Sequence, residues 1–328
     1  MTPDLSHRSF VQPPEAKKLG DYLRRNFPGA AYRSVYEAGF CGFWVHRALE
    51  AEGVENIVIN AADVPTTNKE RKQKRDSVDS RKLCRGLRDN VLRGIYVPGE
   101  EELADRGAVR LRKKLVRDIT RCKNRIKGFL NYHGIPIPKE FDNSSRYWSK
   151  GLMGWLAGLR LGHPGAAYTL KVLLSELVEI QKLKKELERY LVTELKKKHE
   201  EQVRLLRTVP GIGLAAALTI ITELGDTGRF GSFDKLCSFA GLVPNVYSSG
   251  ETEHVGRMTK RKNIYIQPLL IQSSWTAVRK DPALRKCYED WAGKMRPCRA
   301  IVRIARKLLG RIRYVLVNRC EYKFDILK

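Results

Sequence analysis

The sequence predicts an α/β domain, then a pair of long helices, then a mainly helical C-terminal domain. Three observations carry this. Between residues 13 and 60, helical and strand patterns alternate in the order helix, strand, helix, strand, which implies a parallel sheet. Two long basic segments, 105–130 and 168–207, carry apolar residues at heptad spacing. Finally, Val209-Pro210-Gly211-Ile212-Gly213 leads into the apolar run Leu214–Ile221, the pattern of a helix-hairpin-helix. The predicted divisions are 1–97, 98–204 and 205–328.

Each element has a local reason. Pro13-Pro14 suits the first turn of a helix, and Glu15 faces the positive end of its dipole. Ala16, Leu19, Tyr22 and Leu23 line one face until Phe27-Pro28-Gly29 ends it. Ala31–Tyr36 reads as a strand running out at Glu37, Phe43–Glu52 as an amphipathic helix closed by Gly53, and Asn56–Asn60 as a short buried strand. After the charged stretch Asn68–Arg75, a helix beginning at Asp76 is expected to continue through Leu83, Leu87 and Val91 to Gly94. The seam Leu115, Ile119, Cys122, Ile126, Phe129 marks the first long helix, which Gly134-Ile135-Pro136 ends. Phe141–Gly165 reads as an aromatic-bearing loop region, and Tyr168 to about Arg207 as the second long helix. Helices are expected over 264–279, 282–292 and 298–315, with Pro268 at a start or kink.

The charge balance narrows the partner. Among 328 residues, 62 Lys and Arg stand against 36 Asp and Glu, a net charge of +26 spread along the chain. Such an excess points to a polyanion, nucleic acid before membrane. No run of about 18 apolar residues exists to span a bilayer, and the polar start Met1–Asp4 is not a signal peptide. The seven cysteines (41, 84, 122, 237, 287, 298 and 320) include no CxxC pair, so free thiols in a reducing cytoplasm fit better than zinc or disulfides.

Two features carry chemistry. The Pro-Gly-x-Gly turn would present backbone N–H groups of Gly211 and Gly213 to a phosphate at a helix N-terminus, although the same turn can simply be a tight corner between helices. Further on, Tyr247-Ser248-Ser249-Gly250 reads as a loop with hydroxyls beside a glycine, and Arg257, Lys260, Arg261 and Lys262 follow. An attacking oxygen near a cationic run suits phosphoryl transfer. His254 is the histidine near this loop, whereas His46 falls in an apolar helical pattern and reads as structural. Asp76 and Asp79, three apart, share a face in the first helical turn, where capping alone would also explain an acid. With Glu37 at a strand end they make three carboxylates, oxygen ligands of the kind that hold magnesium for attack on a phosphodiester.

These residues occur in an order that resembles the DEDD transposases of bacterial insertion sequences, the bridge-RNA-guided recombinases: Glu37 after a strand, Asp76-x-x-Asp79 at a helix start, long helices, Pro-Gly-Ile-Gly, then Phe239–Pro244 and Tyr247–Gly250. The resemblance covers nearly the whole chain. It implies an RNase-H-like (RuvC-like) domain, a coiled-coil arm and a C-terminal transposase domain. Glu37, Asp76 and Asp79 match three of the family's four metal-binding acids, and Ser249 matches its serine nucleophile, with Ser248 left open by the sequence itself. It further implies Mg2+, serine attack on a DNA strand, a structured guide RNA, and a dimer or tetramer. The family's first aspartate lies on an earlier strand, well before the glutamate; only 36 residues precede Glu37, and Asp4 is in the wrong context, so the first strands are expected to be missing. Two other readings stay open: a metal-dependent junction nuclease in which water attacks, and a nucleic-acid-binding remnant without catalysis.

Overall fold

A computed structural model describes residues 8–66, 75–142, 147–249, 252–259 and 261–324. The chain divides into two compact units at Gly99 and Glu100.

The first unit holds α1 (Ala16–Asn26), β1 (Tyr32–Glu37), α2 (Trp44–Ala51), β2 (Val54–Ile59) and α3 (Asp76–Arg88). β1 and β2 pair in parallel, from Tyr32 opposite Val54 to Glu37 opposite Ile59, as the helix–strand alternation predicts. Val54, Val58 and Ile59 are buried, and so is the one polar residue among them, Asn56. A buried amide needs partners. Asn56 accepts from Ser34 Oγ at 2.7 Å and sets its Nδ2 2.8 Å from Nδ1 of His46, so His46 serves as a partner for a buried amide. Beyond α3, Ile95 N–H donates to Val58 O at 2.7 Å.

α3 stops at Arg88 rather than running on to Gly94. Asn90 adopts φ +52, its N–H returns to Leu87 O, and Val91 N–H reaches Gly86 O. That is a Schellman closure with asparagine in the left-handed position. The apolar spacing of Leu87 and Val91 therefore continues past the point where the backbone has turned away.

The second unit begins with α4 (Glu100–Tyr132), a helix of 33 residues. α5 (Lys150–Ala157) follows, then α6 (Pro164–Tyr190). Arg112 pairs with Glu188 and Arg125 with Glu176, so α4 and α6 run antiparallel. Between them lies a small core of Cys122, Ile126, Leu130, Leu170 and Leu177, closed by Leu152 and Leu156 of α5. α5 falls in the interval predicted as loop. Two glycines in its eight residues weaken the helical signal, but Ser149 caps it by accepting from Leu152 N.

The predicted second long helix is also not continuous. A π turn at Leu191–Leu195 and a single turn at Lys196–Lys198 separate α6 from α7 (Glu200–Thr208). His199, with φ −111, breaks the helix there. The interruption puts Lys198 Nζ 2.6 Å and His199 Nε2 3.3 Å from Asp105, a buried acid on α4.

α7, α8 (Leu214–Leu224), α9 (Phe233–Ala240), α10 (Ile266–Lys280), α11 (Pro282–Ala292) and α12 (Pro297–Asn318) enclose the main core. α12 contributes Ile301, Ile304, Ala305, Leu308, Ile312 and Val315, all fully or nearly fully buried on one stripe. Pro282 and Pro297 each stand in a first turn, and Asp281 caps α11 by accepting from Leu284 N at 3.0 Å. Between α9 and α10 an antiparallel hairpin, β3 (Pro244–Ser249) and β4 (Thr252–Met258), replaces the predicted loop.

Cys237, at 0 % exposure in this core, has its thiol pushed up to about 11 by burial. The folded chain keeps that proton while the unfolded chain gives it up near the ordinary value, so stability is expected to fall between about pH 9 and pH 11, at up to ~1.4 kcal/mol per pH unit. Denaturation midpoints of the wild type and Cys237→Ala, followed over that range, check this; the pH dependence should be shallower in the variant. Cys298, which is exposed, should be alkylated first at pH 8.

Candidate functional site

The serine hairpin stands on a buried ionic clamp. At its root Thr259 N–H donates to Val243 O at 3.1 Å, and Asn263 N–H to Phe239 O at 3.0 Å. Asn263 is the pivot. Its Oδ1 accepts from Tyr265 N at 2.9 Å and Ile266 N at 3.0 Å, capping α10, while its Nδ2 donates to Oε2 of Glu223 at 2.8 Å. Glu223 lies on α8 and is 1 % exposed. Arg110 of α4 meets it with two hydrogen bonds, Nε to Oε1 at 2.6 Å and Nη2 to Oε2 at 2.8 Å, and that partnership raises the guanidinium's affinity for its proton. Arg110 also lies 4.7 Å from the centre of the Tyr265 ring, and Lys113 4.9 Å from it. Lys113 donates to Ile264 O at 3.1 Å; burial, with Arg117 nearby, lowers its pKa. α4 and α8 thus hold the chain leaving the hairpin at a fixed place.

Sequence reasoning missed Arg110, Glu223 and Asn263. The signal was there in part: Glu223 is the acid in the apolar run Leu214–Leu224, and a carboxylate in such a run calls for a cation. Which of 62 cations answers is not visible, since Arg110 lies 113 positions away.

Ser249 ends β3 and pairs with Thr252, so it sits at the hairpin turn; Ser248 pairs with Glu253 and Tyr247 with His254. Arg257 lies on β4, and the side chains of both serines, His254 and Arg257 are outside the described residues, as are Gly250 and Lys260. Arg261 and Lys262 are exposed beside the hairpin root. Gly241, at φ +73, ends α9 against Lys262, where a Cβ would come within 2.3 Å of that residue's Cβ.

The Pro-Gly-Ile-Gly turn joins α7 to α8. Gly211, at φ +85, brings its backbone so close to α10 that an added Cβ would stand 2.3 Å from Ser273 O. This glycine is required by internal packing. Gly213, which precedes α8, is exposed. Gly211→Ala meets both a disfavoured φ and a backbone clash, and should cost about 2 kcal/mol or more, read as a lowered denaturation midpoint.

The three carboxylates belong to the first unit. Glu37 is exposed at the C-terminal end of β1, and Asp76 and Asp79 occupy the first turn of α3. α3 packs on β1, with Arg33 near the start of the strand donating to Asn90 just past the end of the helix at 3.0 Å. Strand and helix therefore run in opposite directions, and the start of α3 lies toward the end of β1 that carries Glu37. None of the three accepts a hydrogen bond or ion pair among the described residues, and the two aspartates stand in the first helical turn, where the dipole favours an acid. Among the described residues, no group of three or more His, Cys, Asp or Glu is drawn together tightly enough to hold a metal ion. The donor chemistry, carboxylates of which Glu37 and Asp76 are exposed and Asp79 is half-buried, nevertheless suits a hard divalent cation.

The first unit thus carries one acid at a strand end and two at a helix start, and the second carries the serine hairpin. Residues 14–134 match the DEDD transposase model of IS110 elements, and residues 203–289 match the transposase family of IS116, IS110 and IS902. The chain is 31% identical over 243 residues to the putative transposase y4qE of Sinorhizobium fredii, covering 74% of this chain and 57% of that protein. With y4rJ of the same organism, also named a putative transposase, it shares 29% over 311 residues, 84% of this chain and 74% of that protein. With the transposase for insertion sequence element IS1111A of Coxiella burnetii it shares 26% over 247 residues, 75% of this chain and 65% of that protein. The chain therefore spans little more than half the length of one of the curated relatives it matches. It belongs to the IS110/IS116 transposase family. Among the described residues, no helix is long and apolar enough to cross a membrane.

Proposed function

We propose that this chain is the DNA transposase of an insertion sequence, cutting and rejoining strands through Ser249. One observation carries the proposal. The two segments matched by transposase models contain all the candidate catalytic residues: Glu37, Asp76 and Asp79 in the first, Ser249 in the second.

In this reading the Ser249 hydroxyl attacks a DNA phosphorus. A bond forms from Oγ to phosphorus, the bond to the 3′ oxygen breaks, the serine proton passes to a base and the departing oxygen is protonated as a 3′-hydroxyl. Arg257, Lys260, Arg261 and Lys262 supply positive charge beside the reacting phosphate. Glu37, Asp76 and Asp79 are the residues that would hold a divalent ion, Mg2+ in this reading. An ion held there would supply Lewis-acid stabilisation of charge on the phosphoryl oxygens. The exposed Gly213 turn gives a further contact to backbone phosphate. A structured RNA selects donor and target DNA by pairing, and the protein works as a dimer or tetramer. The three regions 1–97, 98–204 and 205–328 then correspond to an RNase-H-like acidic domain, an arm and a transposase domain containing a helix-hairpin-helix.

The test is covalent capture. Labelled DNA bearing an element end, incubated with the protein and its element's RNA, should give a protein–DNA species that survives denaturation, requires a divalent metal and yields phosphoserine on digestion. Strand cleavage without that species would overturn the serine mechanism.

A further inference from the structure

We propose that the solvent face of α4 from Arg110 to Arg125 is a rail for the phosphate backbone of duplex DNA, leading to the serine hairpin. The identity of the polyanion as DNA rests on the transposase reading; the rail itself rests on the helix.

Arg110, Lys113, Arg117, Arg121 and Arg125 recur every three or four residues, with Lys114 next to Lys113, which places all six along one side of the helix. Lys114, Arg117, Arg121 and Arg125 are exposed. Over this stretch the axis rises about 22 Å, or roughly six base pairs of duplex. Like charges stand four apart at Arg110–Lys114, Lys113–Arg117, Arg117–Arg121 and Arg121–Arg125, an arrangement that destabilises an isolated helix. Few acids relieve it: Glu223 takes Arg110, Glu176 takes Arg125, and Asp118 approaches Arg121 at 3.1 Å. Lys114 and Arg117 have no acidic partner among the described residues. A helix that concentrates repelling cations on one exposed stripe is complementary to an external polyanion.

The stripe carries no aromatic side chain, so it offers no platform on which unpaired bases could stack; its fit is to the backbone of a rod-like duplex. Its direction is set at one end. Arg110 and Lys113 bracket Tyr265, Lys113 holds Ile264 O, and both residues follow directly on the basic run that leaves the hairpin. A duplex lying on the rail is led to β3 and β4.

The experiment measures how binding of a random-sequence DNA duplex to the full chain depends on salt. In Lys114→Gln/Arg117→Gln/Arg121→Gln, the slope of log affinity against log salt should shrink by about 0.9 per lost contact, up to ~2.7, with affinity near 0.1 M salt falling on the order of a hundredfold. The melting temperature should not fall, because repulsion is removed. A control with the same charge loss on the other long helix and the turn after it, Lys185→Gln/Arg189→Gln/Lys197→Gln, should keep nearly the wild-type slope. An equal slope change in both triple variants, or none in the first, overturns the rail. A slope change confined to duplex RNA overturns the assignment to DNA. Covalent capture is scored separately, so a chain that binds through the rail but forms no phosphoserine refutes the transposition chemistry and leaves the rail intact.

Discussion

Ser249→Ala should remove the covalent protein–DNA product, a loss on the order of a thousandfold or more, while duplex binding should stay close to wild type. The size follows from what the residue would do. A nucleophile that forms a covalent intermediate has no substitute on the reaction path once its oxygen is gone, so the adduct vanishes rather than slows. Binding is spared because affinity for a duplex comes from cations, and Ser249 sits at a hairpin turn that pairs through backbone groups. Ser248→Ala should keep the product, because in this reading Ser249 alone supplies the attacking oxygen. Asp76→Asn should lose product too, without loss of duplex binding, because it removes an oxygen donor of the proposed ion site. Adduct formed by Ser249→Ala at wild-type yield sinks the assignment. Cleavage that persists in Ser249→Ala but fails in Asp76→Asn points instead to a metal-dependent nuclease in which water attacks.

The parts of the fold legible in the sequence are those set by short-range pattern. β1 showed as a strand pattern over 31–36 and β2 as a short apolar run, separated by one amphipathic helix, and their parallel pairing follows from that order. The α4 seam showed as heptads, and Cys122 and Ile126 are fully buried where the spacing put them. The errors come from features with no periodic signal. Gly151 and Gly154 hid α5, whose stability comes from Leu152 and Leu156 packing against α6 and α4. The hairpin hid because Ser248, Ser249 and Gly250 look like turn chemistry, and strand pairing with 252–258 is a relation between two segments. The break at His199 hid because the residue it meets, Asp105, lies 94 positions earlier. For the candidate site, the sequence offered residues but no distances. Its acids and its serine belong to different compact units, whereas the Arg110–Glu223–Asn263 clamp beside the hairpin depends on three distant segments meeting.

That clamp gives the second large effect. Glu223→Ala should destabilise the protein by about 3 kcal/mol, seen as a lower denaturation midpoint at unchanged slope. The substitution removes a carboxylate that is 1 % exposed and accepts three hydrogen bonds, two from Arg110 and one from Asn263. Arg110, whose side chain is 38% exposed, can recover part of its hydration, which keeps the cost below that of orphaning a fully buried cation. Asn263, half-buried, loses the acceptor that fixes its amide while it caps α10, so the hairpin root should loosen as well. Amide exchange at Tyr265 and Ile266, whose N–H groups that cap holds, should accelerate more than exchange in α12. Glu223→Gln keeps an oxygen acceptor and fills the space, and should cost less than the alanine variant. Arg110→Leu/Glu223→Leu, which removes both charges and restores apolar contact, should recover part of the loss, because a paired charge in a core contributes less than an unpaired one costs. If the double variant is as unstable as the sum of its single substitutions, the two residues are not coupled and the clamp does not hold the hairpin.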